Sequence, residues 1–128
     1  MMKKVKTHLP DLKAPVEWAT RGGDTVYTTL ISMRADGSIE TGDIRKQTTL
    51  IMDNLKKIME AAGGSLADVT IIQIFMTDPA DYAAMNEEYA KFYPPGACPN
   101  RATIYISGLA IPGLKIEIVA QAHIPEKR

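Results

Sequence analysis

The sequence has a single cysteine, Cys98, and only two histidines among its 128 residues. One cysteine excludes an internal disulfide framework and a multi-cysteine zinc site, and it is typical of a protein from a reducing compartment. His8 and His123 lie far apart and match no metal-ligand spacing, so we expect no metal. No histidine stands at a recognisable distance from Cys98, which favours a structural thiol over a nucleophile.

The chain also lacks a net charge and a long apolar run. Fifteen basic residues balance fifteen acidic ones, so no overall field attracts a phosphate backbone and we expect no nucleic-acid partner. No apolar stretch approaches the length of a membrane span, and the basic N-terminal segment has no apolar core typical of a signal peptide. We therefore expect a cytoplasmic protein with no membrane partner, folded as one domain over residues 1–128.

Hydrophobic periodicity predicts an α+β fold. Alternating or β-branched segments predict strands at residues 17–20, 25–32, Val69–Met76, 101–107 and 114–124, with a short edge strand at residues 5–9. Apolar residues at three- and four-residue spacing predict one helix over residues 43–62 and a second between Asp78 and Pro94. We expect one mixed sheet with both helices on one face. Because the strand Val69–Met76 is apolar on both sides, we expect another subunit to cover the second face.

Arg101 is the strongest candidate for chemistry. It shares one face of its predicted strand with Thr103, and Glu117 lies on the polar face of the last strand. If these two strands are neighbours, Arg101 and Glu117 project onto the same face of the sheet. The pair then has two interpretations: an ion pair that stabilises the sheet or joins subunits, or a guanidinium that binds a substrate carboxylate while Glu117 handles a water molecule.

Several motifs resemble those of the Rid family (reactive intermediate deaminase, also called YjgF or L-PSP). The most specific are PNRAT at residues 99–103 and LKIEI at residues 114–118. The resemblance extends to EAAGGSL at residues 60–66 and MNEEY at residues 85–89, and it runs from about Pro15 to Ala122. Each motif is modest alone, and their order and spacing make the combination specific.

The resemblance implies a chorismate-mutase-like α+β fold assembled as a homotrimer, with ligand clefts between subunits. It implies hydrolysis of small 2-imino or 2-enamino acids to 2-oxo acids and ammonia, without a metal or organic cofactor. In that reaction Arg101 matches the arginine that holds the substrate carboxylate, and Glu117 matches the glutamate that orients the water. The main-chain carbonyl of Thr103 matches a position that accepts a hydrogen bond from the imine nitrogen.

The sequence departs from the family pattern around the expected pocket. Trp18 stands where the family has a tyrosine, and Thr29 and Leu30 replace a serine and a glycine, while Asn86 is retained. We expect Trp18, Thr29, Leu30, Asn86 and Thr103 to bind the substrate, with bulky Leu30 narrowing the pocket. A non-catalytic trimer that binds small carboxylates, or regulates through them, is the alternative to a deaminase. A ribonuclease is less favoured because the chain is neutral and lacks a histidine pair.

Overall fold

A computed structural model describes residues 1–127 and contains a six-stranded mixed sheet in the order β1-β2-β3-β6-β4-β5. The predicted α+β architecture with two α-helices is confirmed. The elements are β1 (Lys3–Lys4), β2 (Ala19–Gly22), β3 (Thr25–Leu30), α1 (Ile44–Ala61), β4 (Val69–Met76), α2 (Tyr82–Ala90), β5 (Asn100–Tyr105) and β6 (Ile116–His123). Short 3-10 turns at Leu66–Asp68 and Pro79–Asp81 precede β4 and α2 respectively.

Strand β4 lies between β5 and β6, so the last two strands of the chain are not neighbours. It pairs in parallel with β5 and antiparallel with β6, and the remaining strand pairs are antiparallel. A parallel pair needs a crossover connection, which α2 provides between β4 and β5. The crossover places β5 at the outer edge, and β6 then pairs with the other side of β4.

Helix α1 begins and ends as its sequence predicts. The Asp43 carboxylate accepts a hydrogen bond from the backbone N–H of Lys46 at 3.1 Å, which caps the first turn. At the other end Gly63 has a φ of +95°, and the N–H of Gly64 donates to the Met59 carbonyl at 2.9 Å. Within residues 1–127 no helix is both long and apolar enough to cross a membrane.

Both helices pack on the same face of the sheet and enclose one hydrophobic core. Helix α1 supplies its apolar stripe, and α2 supplies Met85 and Tyr89. The sheet contributes side chains that alternate along each central strand. The fully buried core residues include Leu30, Ile51, Leu55, Ile58, Ile72, Ile74, Ile116 and Ile118.

The opposite side of the sheet, here called the open face, is not covered by either helix. Its side chains include Thr29, Ile71, Gln73, Phe75, Glu117, Val119 and Gln121. Simple alternation along Val69–Met76 predicts that Val69 shares a face with Ile71. This is wrong, because a register irregularity between the two residues turns Val69 into the core. The extra residue, Thr70, is exposed and donates its hydroxyl to the Gln121 carbonyl at 3.2 Å.

The N-terminal edge strand lies earlier than predicted. Only Lys3 and Lys4 pair with β2, and the N–H of Val5 adds one bond to the Ala19 carbonyl at 3.0 Å. Residues 6–9 form no strand. Pro10 has no N–H to continue a ladder, and its carbonyl instead accepts a hydrogen bond from Trp18.

Candidate ligand site

Arg101 lies on the edge strand β5 and its side chain reaches the helix-covered side of the sheet. Its register partner on β4 is Ile72, a core residue, and opposite residues of paired strands share a face. The guanidinium donates a hydrogen bond from Nη2 to the Tyr82 hydroxyl at 3.0 Å. Its central carbon also lies 4.7 Å from the ring centroid of Tyr89. Two tyrosines of α2 therefore hold this cation by neutral contacts.

The other described arginines differ from Arg101 because each has carboxylate or carbonyl partners. Arg21 donates to three backbone carbonyls, those of Gly23, Ala62 and Ile124. Arg34 pairs with Glu40 at 2.8 Å, and Arg45 pairs with both Glu87 and Glu88 at 2.7 and 3.2 Å. Over residues 1–127 no such partner lies beside Arg101. The single chain therefore holds its guanidinium in place without neutralising it.

A cavity of about 330 Å³ adjoins Arg101. Its walls are mostly apolar, and its lining residues are Asn86, Tyr89, Ala90, Tyr93, Pro95, Cys98, Pro99 and Arg101. The Tyr89 hydroxyl is buried and has no hydrogen-bond partner within the described chain. Burial raises the pKa of Tyr89 to about 12, so the hydroxyl is a proton donor at neutral pH. A buried donor without a partner is costly, and a polar ligand atom or a water in this cavity would satisfy it.

Cys98 lies on the wall of this cavity. Its thiol is within 3.4 Å of the Pro94 carbonyl and 3.7 Å of the Tyr93 carbonyl. These contacts hold the loop that follows α2, and they agree with the structural role that its isolation in the sequence predicts.

Glu117 lies on the open face, on the other side of the sheet from Arg101. Its register partner is Phe75, three residues along β4 from the partner of Arg101, and an odd step reverses the face. The prediction that Arg101 and Glu117 share a face is therefore wrong, because β4 separates their strands and sets both registers. An ion pair between Arg101 and Glu117 of the same chain is also excluded, because the sheet lies between their side chains.

The carboxyl group of Glu117 has an unusual environment for a glutamate. Burial raises its pKa above the ordinary value. Within residues 1–127 it forms no hydrogen bond or ion pair. A carboxylate with a raised pKa exchanges protons closer to neutral pH, as a general base must.

Two of the other candidates lie near one another on the open face. Thr29 stands opposite Val119, and both line a shallow depression of about 140 Å³ together with Trp18. Trp18 is 6% exposed, and its indole N–H donates to the Pro10 carbonyl at 2.7 Å. Leu30 faces the other way into the core, where it is fully buried. Its side chain does not line the depression, contrary to the bulky wall that we expected.

The remaining candidates belong with Arg101. Asn86 is exposed on α2 and lines the cavity beside the guanidinium. Thr103 follows Arg101 on the same side of β5, whose outer rim has no strand neighbour in the described part of the chain. The contribution of Tyr82 was missed by the sequence reasoning. Its seven-residue spacing from Tyr89 places both rings on one side of α2, and this spacing was the signal that could have found it.

The predicted residues other than Leu30, together with the two tyrosines beside Arg101, thus form two groups on different sides of the sheet. The Arg101 group comprises Arg101, Tyr82, Asn86, Tyr89 and Thr103. The Glu117 group comprises Glu117, Trp18 and Thr29. One chain does not bring the two groups together, so a site that uses both needs a second copy.

Comparison with known proteins finds relatives that match nearly the whole chain. The model of the family described as Endoribonuclease L-PSP matches residues 9–124. A protein of Acinetobacter baylyi named 3-aminoacrylate deaminase RutC is 37% identical over 117 residues, which cover 90% of this chain and 91% of that protein.

Solved structures give the same result for the fold. The crystal structure of Escherichia coli TdcF with bound serine has a TM-score of 0.86 at 30% identity and covers 94% of this chain and 98% of its own. RidA from the Antarctic bacterium Psychrobacter sp. has a TM-score of 0.86 at 28% identity, with 95% and 99% covered. The similarity spans both the Arg101 group and the Glu117 group.

Proposed function

Since this chain belongs to the Endoribonuclease L-PSP family, also called the Rid or YjgF family, we propose that it is a hydrolytic deaminase of small 2-imino or 2-enamino acids. The observation that carries the proposal is Arg101, a cation held by two tyrosines with no anionic partner in residues 1–127. A guanidinium in this state can bind a carboxylate through two parallel N–H donors. The relative named 3-aminoacrylate deaminase supports an enamino acid as the substrate class.

The proposed reaction needs little covalent chemistry from the protein. Arg101 binds the substrate carboxylate and so orients the adjacent C=N bond. Glu117 accepts a proton from a water molecule while the water oxygen bonds to C2 of the imine. The proton that Glu117 accepted passes to the nitrogen and gives a carbinolamine. Its hydroxyl proton is then transferred to the nitrogen as the C=O bond forms and the C–N bond breaks, which releases ammonia and the 2-oxo acid. An enamine enters the same sequence after its C3 gains a proton and its double bond shifts to C=N.

The site is composed of two subunits. Arg101 and Glu117 lie on opposite sides of one sheet, which supports a cleft in which the Arg101 group of one subunit faces the Glu117 group of its neighbour. A closed homotrimer with three such clefts satisfies this requirement. Thr29 and Trp18 line the cleft from the open face, Asn86 and the Thr103 carbonyl line it from the edge, and Leu30 contributes through its main chain.

The proposal also specifies the ligand, the cofactor requirement, the compartment and the domain organisation of the enzyme. Its partner is a small carboxylated metabolite, and the reaction uses no cofactor because the imine carbon is already electrophilic. The single cysteine favours the cytoplasm, and the whole chain, residues 1–128, forms one domain.

A non-catalytic carboxylate-binding trimer is the second candidate, and Trp18 favours it. The indole N–H, the one polar group of that side chain, already donates to the Pro10 carbonyl. Trp18 therefore offers no hydrogen bond to a ligand, whereas a tyrosine at the same position would. Binding of 2-oxo acids without any acceleration of imine hydrolysis would identify this function.

Substitution of Arg101 tests the proposal. An amino-acid oxidase generates 2-iminopropanoate in solution, and release of pyruvate is followed with and without the purified protein. We expect Arg101→Ala to reduce the acceleration about 100-fold or more, since an unanchored substrate loses its orientation. Arg101→Lys keeps the charge but loses the two-donor fork and is expected to be intermediate.

The matched control is Arg34→Ala, which removes an arginine that pairs with Glu40 away from both groups. It should retain full acceleration. Unchanged acceleration in Arg101→Ala, with the oligomer intact, would contradict the proposed function. The same preparations are incubated with RNA, and cleavage that survives Arg101→Ala would support the ribonuclease instead.

A further inference from the structure

We propose that Tyr82 is a positioning residue whose hydroxyl sets the direction in which Arg101 presents its free N–H groups to a ligand. The inference rests on the proposed function of Arg101 as the carboxylate anchor. Tyr82 would not touch the reacting atoms, and it would act through the guanidinium.

The Arg101 guanidinium makes a cation–π contact and a hydrogen bond, and these two contacts constrain it differently. Tyr89 lies against it with a centroid distance of 4.7 Å, and a cation–π contact fixes the position of the cation over the ring. That contact depends weakly on rotation of the guanidinium in its own plane. The hydrogen bond from Nη2 to the Tyr82 hydroxyl, at 3.0 Å, does depend on that rotation. Tyr82 therefore determines which N–H groups remain free and where they point.

Tyr82 is itself held by the start of α2. Asp78 caps the preceding turn by accepting a hydrogen bond from the Ala80 N–H at 2.9 Å, and Pro79 occupies the first position of that turn. Asp81, the residue immediately before Tyr82, has a carboxylate oxygen 3.8 Å from the ammonium of Lys115, the residue immediately before β6. The helix start that carries Tyr82 is thus capped by Asp78 and lies within a long ion-pair distance of Lys115.

The chemistry of the hydroxyl suits this role better than that of a carboxylate. An aspartate or glutamate at the same distance would form an ion pair with Arg101 and compete with the carboxylate of the ligand. A neutral hydroxyl accepts one N–H and leaves the positive charge of the guanidinium available. The alternative is that Tyr82 only joins α2 to β5, in which case its loss would change stability and not ligand affinity.

The experiment is a double-mutant cycle measured by calorimetric titration with pyruvate, the 2-oxo acid produced from 2-iminopropanoate. The proteins are wild type, Tyr82→Phe, Arg101→Lys and the double variant, all as intact oligomers. Tyr82→Phe keeps the ring and removes the hydroxyl, so we expect the Kd for pyruvate to rise about three- to tenfold, the size of one lost hydrogen bond. In the Arg101→Lys background the same change should alter the Kd less than twofold, because the fork that Tyr82 orients is absent.

The matched control is Tyr105→Phe on β5, where the hydroxyl is exposed and has no hydrogen-bond partner in residues 1–127. Its Kd should equal that of wild type. An unchanged Kd in Tyr82→Phe, or an equal rise in both backgrounds, would overturn the positioning role. If Arg101→Ala also binds pyruvate like wild type, the proposed function fails as well; if Arg101→Ala loses binding while Tyr82→Phe keeps it, only this inference fails.

Discussion

Two charged residues lie against opposite sides of helix α2, and they differ in whether a charge of opposite sign lies beside them. On one side Glu88, 8% exposed, accepts from Arg45, Thr49 and Lys91. On the other side Arg101 donates a hydrogen bond to the Tyr82 hydroxyl and lies over the rings of Tyr82 and Tyr89, with no ion pair among residues 1–127. The negative charge of Glu88 is balanced by Arg45 and Lys91, and the pair with Arg45 joins α1 to α2. The charge of Arg101 is held in position without an anionic partner among residues 1–127, as the proposed role of carboxylate anchor requires.

The pKa values of Glu88 and Glu117 are shifted in opposite directions. Hydrogen bonds from Lys91 and Arg45 hold the pKa of Glu88 below its usual range. Burial without a partner raises the pKa of Glu117. One environment thus favours the charged carboxylate and the other disfavours it, although both groups are glutamates.

Glu117→Gln is expected to give the largest effect, because it removes the proton acceptor and retains the shape of the side chain. The loss of general-base catalysis should lower kcat for imine hydrolysis about 10²- to 10⁴-fold. The Kd for pyruvate should change little, since Arg101 binds the carboxylate. Stopped-flow measurement of pyruvate release, with Glu60→Gln on the exposed side of α1 as control, tests this. A variant with wild-type kcat would remove Glu117 from the mechanism.

Glu88→Gln should give a smaller effect, and on stability alone. The folded pKa of Glu88 is depressed from 4.5, so its ion pairs stabilise the fold above that value and this stabilisation disappears as the pH falls through the folded pKa. The variant should unfold at a lower temperature than wild type at pH 7, and the difference should narrow in acid. Scanning calorimetry across this pH range measures both.

The neighbouring residue supplies the control for that experiment. Among residues 1–127 Glu87 pairs with Arg45 alone, and its side chain is 64% exposed. Glu87→Gln should therefore cost less stability than Glu88→Gln. Both variants should retain the kcat of wild type. A fall in kcat without a fall in stability would show that the two sides of α2 are not independent.

The fold was largely predictable because its signals are local. The three- and four-residue spacing, with Thr41 or Asp43 as a possible cap, indicated α1, and the run of β-branched and apolar residues at Val69–Met76 indicated β4. Strand order was not predictable in this way, because pairing joins residues far apart in the chain. The insertion of β4 between β5 and β6 leaves no mark in the pattern of either strand.

The sequence suggested which residues could form the site, but it did not predict on which side of the sheet each of them lies. Arg101 and Glu117 were selected from motifs and remain predictions, and their registers with Ile72 and Phe75 place them on opposite sides of the sheet. The Thr70 irregularity, which turns Val69 into the core, likewise depends on partners in β6. Leu30 was expected to face a ligand, and burial of its side chain decided otherwise.

The central claim is that Arg101 and Glu117 act together across a subunit boundary, and mixed oligomers test it most directly. Arg101→Ala and Glu117→Gln subunits are each inactive alone, and they are dissociated, mixed in equal amounts and reassembled. Random assembly of a closed ring then pairs an intact Arg101 with an intact Glu117 of the neighbour in about one cleft in four. We predict recovery of about a quarter of the wild-type rate of pyruvate release. A mixture as inactive as its two components would contradict a site shared between subunits.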